Sequence, residues 1–109
     1  MSDAGIISSG DGRYAISGEL TFSTVPKLEH AGLGVIGNGL VQLDLAGITR
    51  VDSAGIALLI GLIRTVRELG GDVTLLHAPS QLMAIATVSG LETVLPFAEE
   101  GKSTGKLGA

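Results

Sequence analysis

Residues 40–62, LVQLDLAGITRVDSAGIALLIGL, carry two different periodicities in succession. In the first half, Val41, Leu43 and Leu45 alternate with Leu40, Gln42 and Asp44, which predicts a strand over 39–47 with one apolar face. After TRVD the apolar residues recur at helical spacing instead, predicting a helix that begins near Ser53 and ends at Gly70–Gly71, where glycine caps the C-terminus. Asp52 and Ser53 stand at the junction. Both are preferred N-cap residues, and either side chain can accept a free N–H of the first helical turn.

On a helical projection the large apolar residues from Ile56 to Leu69 fill an arc of about 200°, with Arg67 the one charge inside it. A surface helix commonly needs a stripe somewhat over 100° wide. The excess implies either deep burial or an apolar edge left for a partner. The opposite arc holds Ser53, Ala57, Gly61 and Arg64 or Thr65, flanked by Ile60, a ridge of small residues that another protein can approach closely. Gly61 inside a helix costs roughly 1 kcal/mol relative to Ala. A flat contact surface explains that cost, and so would close packing within the domain. A serine at a helix N-terminus is also well placed to carry phosphate, because the helix dipole and free N–H groups stabilise the dianion.

Around this centre, RYAISGEL (13–20) reads as a strand, with GII before SSGDG as the first arm of a hairpin. STVPKLEHAGLGVIG (23–37) opens with a helix-start signal and spaces Val25, Leu28, Ala31 or Gly32, and Val35 as a short, glycine-weakened helix. DVTLLHA (72–78) is a further strand, Pro79 and Ser80 open a last helix, and TVLPF is read as a short final strand. The expected fold is α/β, a mixed sheet with an opening hairpin packed with about three to four helices. One domain over 1–98 is expected, followed by a mobile polar tail over 99–109.

Composition removes several classes of function. The 109 residues carry a net charge of −4 and no Lys/Arg run, which argues against nucleic acid. Hydrophobic residues make up 45% and charged residues 17%, the balance of a globular chain. With one Tyr, two Phe and no Trp, the core must be aliphatic. The absence of cysteine excludes disulfides and thiolate metal sites. AGIALLIGLI would be about 15 Å long as a helix, against roughly 30 Å of bilayer hydrocarbon, so no membrane insertion is expected. MSDAGIISSGDGR lacks the pattern of a secretory signal, and the expected location is cytoplasmic.

Three apparent chemical sites fail on context. GLGVIG (32–37) matches G-x-G-x-x-G, but a dinucleotide site needs a strand before it and a helix after it, and here the order is reversed. His30 and His77 each lack a second ligand at i+3 or i+4, so neither suggests a metal. Ser53 lies in V-D-S-A-G rather than a nucleophile elbow, and no general base accompanies it. No catalytic residue, cofactor or metal is assigned, and the chain is read as non-enzymatic.

LVQLDLAGITRVDSAGIALLIGL resembles the core signature of STAS domains, the fold shared by sulfate-transporter tails and anti-sigma-factor antagonists. ISGEL matches that family's strand before the first helix and GLETVLPF its usual end, so the resemblance spans about residues 5–97. It implies a non-enzymatic interaction domain with Ser53 as the candidate phosphoacceptor and the following helix as the partner surface. Anti-sigma antagonists carry Asp soon after G-E-[IL], where this chain has Thr21. That departure and the Ala- and Leu-rich VDSAGIALL look more like the small cytoplasmic STAS subunits of Mla lipid-asymmetry ABC transporters. The resemblance then implies that Asp52, Ser53, Ala54, Ala57, Ile60, Gly61 and Arg64 contact the transporter's ATPase subunit, which holds the chain at the inner membrane. The alternative it implies is an anti-sigma factor antagonist whose partner is an anti-sigma kinase acting on Ser53.

Overall fold

The alternation over 40–45 becomes β3 (Leu40–Val51), with Val41, Leu43 and Leu45 buried and Leu40 and Gln42 exposed. The computed structural model describes residues 4–36 and 39–98. In chain order the elements are β1 (Gly5–Gly10), β2 (Arg13–Leu20), α1 (Val25–Val35), β3, α2 (Ser53–Glu68), β4 (Asp72–Leu76) and α3 (Ser80–Val88). The expected tail over 99–109 and Gly37 of GLGVIG lie outside the described residues, as do the side chains of 31–35.

Among the described residues one sheet forms in the order β1-β2-β3-β4, antiparallel at its first pair and parallel at the next two. The mixed α/β class is as the sequence predicts. The hairpin turn is tighter than expected. Ser8 and Gly10 belong to β1, and only Asp11 and Gly12 connect it to β2. Both turn residues have positive φ, 55° and 77°, the backbone that a two-residue hairpin of right-handed twist requires.

β3 also runs four residues past the predicted end at Gly47. Its pairing with β2 shifts register twice, between Ala15 and Ser17 and again between Gly18 and Glu19. Each shift places an extra residue on β3, so the next inward side chains are Ile48 and Val51 rather than alternate positions. Period-2 alternation therefore stops in the sequence while the strand continues.

α2 supplies the centre of the core. Ile56, Leu58, Leu59, Leu62, Ile63 and Val66 are all buried, so deep burial accounts for most of the broad apolar arc. Leu69 leaves that arc and is exposed, and Arg67 turns outward to bind Asp72, Nε to Oδ1 at 2.9 Å. The helix ends as the glycines predict. Gly71 N–H reaches the Val66 carbonyl and Gly70 N–H that of Arg67, with Gly70 at φ 90°. Leu28 from α1 and Leu82 and Ala86 from α3 join the same cluster.

Of the other two ends, one follows the sequence and one does not. α1 starts at Val25, directly after the Ser23-Thr24 signal, and the Thr21 carbonyl receives both Thr24 and Val25 N–H in a turn before the helix. TVLPF forms no strand of its own. It meets β4 at a single bridge, Leu75 with Phe97, where Pro96 offers a carbonyl but no N–H.

Candidate partner interface at the start of α2

The junction between β3 and α2 is centred on Asp52. Its Oδ1 accepts the N–H groups of Ala54 at 2.9 Å and Gly55 at 3.2 Å, which makes it the N-cap. Its Oδ2 accepts the N–H of Phe22 at 3.0 Å, reaching across to the loop between β2 and α1. Its own N–H donates to the Leu20 carbonyl at 3.2 Å. One carboxylate thus ties the helix start to the end of β2. The Phe22 N–H, then those of Gly55 and Ala54 and the nearby Arg50 charge, outweigh partial desolvation and hold this carboxyl below the usual carboxylate range.

With Asp52 as the cap, Ser53 has no capping duty. It is the first helical residue, exposed, and among the described residues its hydroxyl has no hydrogen-bond partner. Ala57, Gly61 and Arg64 are exposed along the same ridge, while Asp52, Ala54 and Ile60 are half-buried. The ridge that spacing singled out, Ser53, Ala57, Gly61 and Arg64, is therefore outward-facing, with Asp52, Ala54 and Ile60 partly exposed beside it. Ile60 divides its contacts, packing against the core at its inner edge.

The two glycines of this helix have opposite reasons to be glycine. A Cβ on Gly55 would be driven into the Leu20 carbonyl oxygen and lie 2.9 Å from Leu20 Cγ. The helix start can sit on β2 only because that side chain is missing. A Cβ on Gly61 would meet no atom of the other described residues within 4 Å. Among the described residues, then, no packing contact requires Gly61 to be glycine, which favours the flat contact surface of the two explanations its helical position allowed.

Shallow grooves run along both sides of the ridge. One of about 260 Å³ lies toward α1, between Glu29 and Leu58, Gly61, Leu62, Arg64 and Thr65. The other, about 380 Å³, lies toward the C-terminal segment and is lined by Ile60, Ile63, Arg64, Arg67, Glu68, Val94 and Leu95. Neither is shaped around chemistry. Among the described residues no group of three or more His, Asp or Glu side chains could hold a metal ion. The described part of GLGVIG lies at the end of α1 with a strand to follow, the order that a dinucleotide site excludes. His30 is exposed, and His77 Nδ1 lies 3.0 Å from Asp44 Oδ1 at the far side of the sheet.

Spacing did not reveal two participants. Phe22 is 78% exposed beside Asp52, and its place follows from a contact across 30 residues rather than from any local pattern. Gln81, on α3, accepts the Val51 N–H through Oε1 at 2.8 Å and so helps hold the strand end that leads into Asp52.

The chain has known relatives. A family model described as "Mlab, STAS domain" matches residues 7–96. The intermembrane phospholipid transport system binding protein MlaB of Haemophilus influenzae is 32% identical over 79 residues, covering 68% of this chain and 75% of that protein. The structure of an anti-sigma-factor antagonist (STAS) domain protein from Planctomyces limnophilus superimposes with a TM-score of 0.71 at 18% identity, covering 93% of this chain and 95% of that one. The Bacillus cell fate determinant SpoIIAA in its phosphorylated form gives 0.62, also at 18% identity, over 95% and 98% of the two chains. These last two likenesses are of fold. Helix, strand order and family match agree, and the chain belongs to the STAS-domain family.

Proposed function

We propose that this chain is a non-enzymatic accessory subunit that binds and stabilises the ATPase of a Mla-type phospholipid-transport ABC transporter. It acts on the cytoplasmic side and meets the membrane only through that complex. The transporter assignment draws on the likeness to a phospholipid transport system binding protein, MlaB. The observation that carries the docking surface is Gly61, a helical glycine with open space where its side chain would be. No contact among the described residues accounts for its cost of roughly 1 kcal/mol, whereas a partner resting on the backbone does. Asp52, Ser53, Ala54, Ala57, Ile60 and Arg64 complete that surface.

Co-purification of the chain with its ATPase tests the reading. Ser53→Asp places a charge that must be desolvated at the contact, and Gly61→Arg fills the space the partner occupies. Each is expected to weaken the complex by about tenfold or more, equivalent to roughly 1.4 kcal/mol. Unchanged affinity in both variants would end the docking model.

One observation favours a second reading, an anti-sigma factor antagonist switched by phosphate. The Ser53 hydroxyl is exposed and unengaged at a helix start, where a phosphate dianion is favoured. That reading requires a cognate anti-sigma kinase to phosphorylate Ser53 and lose its grip afterwards. A domain that no such kinase binds or modifies would set it aside.

A further inference from the structure

The surface on α2 continues past Ser53 onto the loop between β2 and α1, where Phe22 stands 78% exposed. The backbone that presents it is firmly held. Thr21, just before, is buried, donates its N–H to Thr24 Oγ1 at 3.0 Å and shares a hydroxyl contact with Ser23 at 3.2 Å. Thr24 Oγ1 donates in turn to the Glu19 carbonyl at 2.7 Å. The Phe22 N–H is fastened to Asp52 Oδ2, which ties the loop to the residue preceding Ser53. An aromatic ring is thereby displayed on a loop that has little order left to gain. Preorganised aromatic side chains of this kind concentrate binding energy, because the ordering cost has already been met in the free protein.

The surroundings define what the ring faces. The loop TFST and the helix run SAGIALLIGLI carry no charged residue; of the charges at their junction, Asp52 is engaged by three N–H groups and Arg50 is exposed close to it. The uncharged run from Phe22 along the start of the helix suits an apolar pocket on a protein. We infer that Phe22 is the aromatic anchor of the interface, its ring entering an apolar pocket of the ATPase subunit that rests on Ser53, Ala57 and Gly61. This rests on the proposed function and adds to it a specificity-determining residue outside the helix.

Affinity of the purified chain for the ATPase, measured by calorimetry, tests the anchor. Phe22→Ala lowers affinity at least about tenfold while leaving the far-UV circular dichroism and melting temperature of the free domain unchanged. Phe22→Leu retains an apolar side chain and loses less, and it decides the matter if the alanine variant melts early. Val88→Ala removes an 89%-exposed apolar residue at the far end of α3 and leaves affinity unchanged. Wild-type affinity in Phe22→Ala, with Ser53→Asp and Gly61→Arg still impaired, overturns the anchor and leaves the docking reading standing. An equal loss in Val88→Ala also overturns it. A wild-type chain that does not bind the ATPase removes the docking reading and the anchor together.

Discussion

Asp52 uses one carboxylate for two unrelated ties, capping α2 with Oδ1 and holding the Phe22 N–H with Oδ2. Loss of a helix cap costs about 0.5–2 kcal/mol, and Asp52→Ala also leaves the Phe22 N–H without its acceptor, so a loss near the upper end is expected in urea denaturation at pH 7. The sign of its pH dependence follows from the lowered carboxyl pKa. The stabilisation is fully present above the unfolded value of 3.8 and is lost as pH falls through the lower folded value. The stability gap between wild type and Asp52→Asn should therefore narrow in strong acid. A gap that widens there contradicts the assignment. Gly55 is equally constrained, since Gly55→Ala drives a methyl against the Leu20 backbone and should cost about 1–3 kcal/mol in the same measurement.

On α2 as an element, the inner face and the outer ridge obey different rules. Leu59 is fully buried at the centre of the cluster, and Leu59→Ala should destabilise by about 2–5 kcal/mol. Gly61→Ala should do the reverse. The new methyl meets no atom of the other described residues within 4 Å, and replacing glycine in a helix interior is worth up to about 1 kcal/mol. Thermal melting of the two variants would separate these cases. A destabilised Gly61→Ala would show that the domain itself needs the glycine and would weaken the case for a partner there. The breadth of the apolar arc was legible in the sequence, but its explanation was not. Six inward residues use most of it for burial, so the surface left for a partner is the small-residue ridge with Ile60 at its margin.

In the whole molecule, one hydrophobic cluster joins the sheet to all three described helices. A shared core predicts a single cooperative transition. Tyr14 is buried in that cluster and is the only Tyr or Trp in the chain, so its fluorescence should change together with the far-UV circular dichroism. Separated transitions would indicate that α3 or the hairpin unfolds independently. The far face of the sheet contributes little by comparison. Its Asp44 meets His77 at 3.0 Å and Arg13 at 3.9 Å, with the two basic side chains about half exposed. Pairs so accessible to water are worth about 0–1 kcal/mol.

Local pattern carried much of this. The alternation of 40–45, the helical spacing after Ser53, the closing glycines and the paired cap residues each depend on neighbours within one or two turns. With the patterns of the other segments they gave the element order through α3, the mixed α/β class and the outward placement of Ser53, Ala57, Gly61 and Arg64, while the expected final strand at TVLPF did not form. Contacts between distant residues were beyond such patterns. The bulges that extend β3 to Val51 arise from pairing with β2, and the choice of Asp52 over Ser53 as the cap came with its second bond to Phe22. The two glycines fall on opposite arcs of the helical pattern, but only the fold puts the Leu20 backbone against Gly55 and leaves open space beside Gly61 among the described residues. Periodicity reports which way a side chain points, whereas the groups that wait there are set by chain returning from elsewhere in the fold.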